Sequence, residues 1–110
     1  MPSPMHARIN LKFRLSSMSY NFKFKEEALK EWSKLDSRLR DQIKKKLQER
    51  LIHPRVPASK LSGQKDRYKI KLRHVGYRLV YEVRDNERAV VVVAIGKRER
   101  NAVYKMAAKR

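Results

Sequence analysis

The sequence predicts an α+β domain: a mostly antiparallel sheet of about four strands, an N-terminal helical hairpin packed on one face, and a C-terminal helix, in the order β-α-α-β-β-β-α. Three observations predict it. Tyr68-Lys69-Ile70-Lys71-Leu72-Arg73 alternates apolar and basic at every step, and Tyr77 to Val83 follows after a short break. Such alternation marks half-buried strands, because successive side chains point to opposite sheet faces. Leu39, Ile43, Leu47 and Leu51 step by four, which places them on one face of a helix. Ala89 to Ile95 is apolar throughout, as expected of a central strand covered on both faces. Two successive helices followed by three successive strands give an α+β layer arrangement.

The elements follow in order. Residues 1–17 stand apart, punctuated by Pro2, Pro4, Ser16 and Ser17, with one alternating stretch, Ile9 to Leu15, as a candidate short strand. They read as an appendage, with Met18 near the start of the working domain, residues 18–110. Tyr20-Asn21-Phe22-Lys23-Phe24 alternates aromatic and polar, a first strand. Glu26 and Glu27 suit the positive end of a helix, and Ala28, Leu29, Trp32 and Leu35 continue it at helical spacing. Asp36 and Ser37 are capping residues that divide this helix from the next. The second helix carries Lys44, Lys45 and Lys46 outward and ends at His53-Pro54, because proline disfavours helix at the residue before it. Pro54 to Asp66 is a loop. A tight turn at His74-Val75 would set Lys71 opposite Arg78 and Leu72 opposite Tyr77 on the two alternating strands. Asp85-Asn86-Glu87 is a turn, Gly96 is expected to break the last strand, and Glu99 to Lys109 has helical composition with Val103, Met106 and Ala107 on its apolar side. Trp32, Tyr77 and Tyr81 are expected in the core.

Composition narrows the function. The chain has 110 residues, one domain's worth, with 29 Lys and Arg against 11 Asp and Glu, a formal net charge of +18. Such an excess predicts strong, salt-sensitive attraction to phosphate backbones. There is no cysteine, which excludes disulfides, thiol catalysis and Cys-based zinc sites. His6, His53 and His74 are far apart and lack a metal-binding spacing, so no metal or other cofactor is expected. No apolar run is long enough to cross a bilayer, and no signal peptide is read at the start. The expected setting is the cytoplasm, with no membrane partner.

The cations form a pattern. With Tyr68, Ile70 and Leu72 turned to the core, Lys69, Lys71 and Arg73 share the opposite face. Arg78 joins from the next strand, and Gly96-Lys97-Arg98-Glu99-Arg100 and Tyr104 follow. A sheet face of Lys and Arg suits a polyanion. Taken one at a time, the residues have plainer readings: the alternating cations as a wet sheet face, Arg78 paired with Glu82, Tyr104 as a core aromatic, His74 as a turn residue, and Lys44 to Lys46 as a solvated helix face.

Taken together, Ala28-Leu29-Lys30-Glu31-Trp32, Tyr68 to Arg73, Gly76-Tyr77-Arg78-Leu79-Val80-Tyr81, and Gly96 to Arg100 followed by Val103-Tyr104 resemble the RelE toxins of type II toxin–antitoxin systems, within the RelE/ParE superfamily. The resemblance runs from about Met18 to Lys109. It implies a ribosome-dependent endoribonuclease that cleaves mRNA in the A site of the 30S subunit and is silenced by an acidic, RelB-like antitoxin. Operator DNA would be a partner only for the toxin–antitoxin complex. The family's active-site positions correspond to Lys69, Lys71, Arg78, Arg98 and Tyr104.

Metal-free RNA cleavage by the 2′-hydroxyl needs a proton acceptor, charge stabilisation at the phosphate and relief of the leaving oxygen. Arginine stays protonated and is a poor base. A lysine crowded by other cations has its ammonium form disfavoured, so Lys71 is the expected general base, with Lys69 assisting or exchanging roles. Arg78 and Arg98 would clamp the phosphate, Arg98 also easing the leaving group, and Tyr104 would stack on a base or orient the sugar. Lys44, Lys45, Lys46, Arg73, Lys97 and Arg100 are candidate RNA or ribosome contacts. Two other functions stay open at this level: a ParE-like inhibitor of gyrase, and a basic ribosome-binding module without chemistry.

Overall fold

The computed structural model describes residues 20–99 and 101–110. The expected appendage over residues 1–17, with its candidate strand, lies outside the described residues, as does Arg100. The elements run β1 (Asn21–Phe24), α1 (Glu26–Ser33), α2 (Ser37–Ile52), a short 3-10 turn (Pro57–Ser59), β2 (Arg67–Leu72), β3 (Tyr77–Arg84), β4 (Ala89–Lys97) and α3 (Ala102–Ala108). The two helices divide at Asp36, whose side chain accepts a hydrogen bond from the Leu39 amide at 2.8 Å and satisfies one of the donors a helix start leaves free. α2 ends at His53, before Pro54.

The strands lie in the order β1-β4-β3-β2. β2, β3 and β4 are antiparallel, while β1 pairs parallel to β4. The sheet is therefore mixed. A parallel pair needs a long connection, and the helical hairpin together with β2 and β3 separates β1 from β4 in sequence.

One face is sealed by the helical hairpin. Trp32, Ile43, Leu47 and Leu51 meet Phe22, Tyr68, Ile70, Leu72, Leu79 and Tyr81 in one buried cluster. A smaller cluster on the other face joins Val80, Val93 and Ala94 to Val103 and Ala107 of α3. The apolar run in β4 thus has apolar neighbours on both sides. Its strict alternation is broken by a bulge: Val80 pairs with Ala94 but Tyr81 with Val92, so Val93 is the extra residue and both Val93 and Ala94 belong to the α3 side.

The ends of two elements differ from the sequence expectation. Gly96 does not break the last strand. It pairs with Arg78 inside β4, which runs on to Lys97. A Cβ at this position would stand 2.9 Å from Val103 Cγ2, so glycine lets α3 approach the strand. α3 begins at Ala102 rather than Glu99, because Asn101 takes the left-handed conformation, φ 62°. Among the described residues, no helix is long and apolar enough to cross a membrane.

Candidate active site

The face of the sheet that α3 leaves open carries the cations. In β2 the even positions, Tyr68, Ile70 and Leu72, are buried under the hairpin, which turns Lys69 and Lys71 to the other side. The observed register is the one the short turn dictates: Lys71 lies opposite Arg78 and Leu72 opposite Tyr77. Like charges directly opposite on neighbouring strands are destabilising, so this pairing costs the fold something. Arg98 follows β4, and its amide donates to the Gly76 carbonyl at 2.6 Å, tying the end of β4 to the β2–β3 turn. Gly76 sits there at φ +68°, where a side chain would be strained.

α3 completes the site. Lys69, Lys71, Arg78, Lys97, Arg98 and Tyr104 line one open cleft of about 250 Å³ together with Glu99, Asn101, Ala102 and Val103. The Lys69 ammonium stands 5.9 Å from the centre of the Tyr104 ring, a cation–π contact. Tyr104 is half-buried and packs against the smaller core cluster, so it is neither a core aromatic nor a free one. Arg78 donates to the Tyr77 carbonyl at 3.0 Å and does not meet Glu82, which is held by Arg67 and Arg84 instead. Among the described residues, none of the five cations of the cleft is in an ion pair. The strand beneath is braced from the hairpin, since Arg50 of α2 donates to the Lys69 carbonyl at 3.4 Å and to the Tyr81 hydroxyl at 2.8 Å.

This crowding acts on one group in particular. The Lys69 ammonium, then burial and the charges of Arg73, Arg78 and Arg98 hold the Lys71 amine below the usual lysine range. Electrostatics therefore makes its proton easier to lose than that of an isolated lysine. Glu99 is the cleft's one carboxylate, a poor donor set for a divalent cation that would want several oxygens. Among the described residues, no group of three or more His, Asp or Glu is placed to hold a metal ion.

The remaining expected contacts separate. Lys45, Lys46 and Arg73 line a second cleft of about 440 Å³ with Gln42, Leu72 and His74, and Lys71 forms part of both walls. Lys44 is half-buried on α2 and lines neither cleft. Gln42, His74 and Asn101 were not singled out as site residues by sequence. Asn101 had a signal of a kind, since asparagine tolerates the left-handed backbone that a helix start here requires.

Known proteins resemble this chain over most of its length. The family described as ParE toxin of type II toxin–antitoxin system, parDE, matches residues 22–102. The mRNA interferase toxin RelE of Escherichia coli K12 is 57% identical over 93 residues, covering 84% of this chain and 98% of that protein. This chain belongs to the RelE toxin family. The RelE fold matches as well. A free-state structure of an arginine-to-alanine double variant of E. coli RelE superposes with a TM-score of 0.78 at 55% identity, covering 84% of this chain and 98% of that one. The toxin in the intact E. coli RelBE toxin–antitoxin complex gives 0.71 at 56% identity, over 74% of this chain and all of that one.

Proposed function

We propose that this RelE-family chain is the toxin of a type II toxin–antitoxin pair and an endoribonuclease that cuts mRNA in the ribosomal A site. The observation that carries the reading is the convergence of Lys69, Lys71, Arg78 and Arg98, all unpaired among the described residues, with Tyr104 around one cleft. Its dimensions suit a phosphodiester and its sugar.

The reaction uses these groups as follows. Tyr104 stacks on a base and fixes the sugar, a contact worth roughly 1–3 kcal/mol in comparable cases. Neutral Lys71 takes the proton of the 2′-hydroxyl at Nζ. The 2′ oxygen attacks phosphorus as the bond to the 5′ oxygen breaks, leaving a 2′,3′-cyclic phosphate and a 5′-hydroxyl. Arg78 and Arg98 neutralise the charge that builds on the phosphoryl oxygens, where fixed donors act most strongly. Arg98 also donates to the departing 5′ oxygen, which takes its proton from water. Lys69 lowers the proton affinity of Lys71 by charge repulsion and so raises the share of it that is ready to accept a proton. No step calls for a metal.

Lys44, Lys45, Lys46, Arg73, Lys97 and Arg100 supply further RNA and ribosome contacts. The partner that silences it is an acidic, RelB-like antitoxin, complementary to a net charge of +18. Ribosomes place the activity in the cytoplasm. With so few specialised proton carriers in the cleft, the ribosome must position the substrate for the reaction to run fast.

Primer extension on mRNA translated in the presence of the purified toxin tests this. Cuts inside A-site codons, abolished by Arg98→Ala and absent on naked mRNA, are expected. Intact mRNA with blocked DNA supercoiling would replace this reading with the gyrase-inhibitor one.

A further inference from the structure

Tyr104 rides on a helix that cannot hold itself in place. α3 has seven residues, too few for a stable helix in water, so its seat is set by what it touches. Val103 and Ala107 give it a small buried foot on the sheet. Its backbone is gripped from the loop and strand beside it. Gln64 Nε2 donates to the carbonyl of Tyr104 itself at 3.3 Å. Arg67 Nη1 donates to the carbonyl of Ala107 and, at 3.3 Å, to Gln64 Oε1. The Ala107 carbonyl is one of the last four of the helix, which lack an ordinary i+4 amide, and it accepts from the Arg110 amide at 3.0 Å as well as from Arg67. Arg67 Nε donates in turn to Glu82 Oε1 at 3.0 Å, and Glu82 Oε2 accepts from Arg84 at 2.6 Å, so the carboxylate is fixed at both oxygens.

We propose that Gln64, Arg67 and Glu82 are positioning residues for the nuclease, acting through Tyr104. Arg67 and Lys69 share one face of the same strand. The tie therefore indexes the helix to the strand that carries the general base and its neighbour, and sets the Tyr104 ring at its place beside Lys69. Gln64 makes the most selective probe. It is half-exposed in the loop before β2 and outside both core clusters, so its loss touches the placement of Tyr104 more than the stability of the domain. A small misplacement of a substrate-positioning group is enough to slow a reaction whose other parts are intact.

The inference rests on Tyr104 acting in cleavage, and a double-mutant cycle separates the two ideas. Single-turnover cleavage of ribosome-bound mRNA is measured for the full chain, Gln64→Leu, Tyr104→Ala and the double variant, with the thermal midpoint of each. Gln64→Leu is expected to cut roughly three- to ten-fold more slowly, through the loss of its hydrogen bonds to the Tyr104 carbonyl and to Arg67, at an unchanged midpoint. On the Tyr104→Ala background the same substitution should cost nothing further. Arg67→Lys, which keeps the positive charge beside Glu82, should lose less than Arg67→Gln. A full-rate Gln64→Leu, or an equal loss with and without the Tyr104 side chain, overturns the tie while leaving the nuclease reading intact. A full-rate Tyr104→Ala overturns both the tie and the role given to Tyr104.

Discussion

Arg67 and Lys71 stand on the same face of the same strand and live in opposite electrostatic surroundings. The Arg67 guanidinium, only 12% exposed, meets Glu82 at 3.0 Å. Beyond it the same end of the sheet carries further matched charges, Arg84 with Glu82 and Glu87, and Arg55 with Asp66 and Asp85. Lys71 is exposed, lies across from Arg78, and has no carboxylate partner among the described residues. The acidic residues are therefore not spread evenly over a basic protein. Ion pairs gather where cations serve the fold, while the cleft proposed to take a phosphate sets one carboxylate, Glu99, against five cations. Burial pushes the Glu82 carboxyl up, and the hydrogen bonds from Arg84 and Arg67 outweigh it and hold it below its ordinary value. At the other end, uncompensated charge pushes the Lys71 amine down.

The contrast is broken most sharply by removing one charge at each end. Lys71→Ala should lower single-turnover cleavage by about 10²–10⁴-fold, the range for losing a general base. It should leave the denaturant midpoint unchanged or raise it, since the lost charge faced another cation. Glu82→Ala should do the reverse to the fold. It leaves Arg67 half-buried and unpaired, at a cost of about 1–3 kcal/mol, less than for a fully buried pair because water reaches both partners. Urea unfolding of the two variants beside the parent checks both signs.

A smaller effect sharpens the same comparison where the two ends meet under α3. Gly96→Ala puts a methyl group 2.9 Å from Val103 Cγ2 and 3.5 Å from Met106 Cε. The helix must lift, at about 1–3 kcal/mol, and carry Tyr104 with it. Cleavage should fall several-fold, on the order of what such a strain energy permits, and Val103→Ala in the same chain should restore part of it.

Much of this was legible before any coordinates. The alternation from Tyr68 to Leu72 fixes which side chains are buried, because a one-residue slip would turn Lys69 and Lys71 into the core. The short turn at His74-Val75 then fixes Lys71 opposite Arg78. The capping residue Asp36 and the four-step leucines gave the hairpin. Other features depend on contacts far apart in sequence. The parallel pairing of β1 with β4 has no local mark. The bulge at Val93 is hidden inside a uniformly apolar run, where a change of face leaves no trace in composition. Gly96 looks like a strand breaker until the helix that needs its missing side chain is in place. Arg67 reads as one more cation on a basic strand, and its pairing with Glu82 follows only from the β2–β3 register. The candidate site residues stand out in the sequence because alternation and family pattern agree. The residues that hold α3 were not, because loop glutamine and strand arginine carry no periodic signal.

The proposed mechanism needs Lys71 to work as a base because its neighbours, Lys69 first among them, depress its affinity for a proton. The direct measurement is the pH dependence of single-turnover cleavage on programmed ribosomes for the parent chain and for Lys69→Ala. The rate should climb with pH as Lys71 loses its proton, and then level off. With Lys69 removed, Lys71 should regain a higher proton affinity, so the rising limb should move to higher pH at a lower rate. A limb that stays where it is, or a rate indifferent to pH in both proteins, would contradict the assignment.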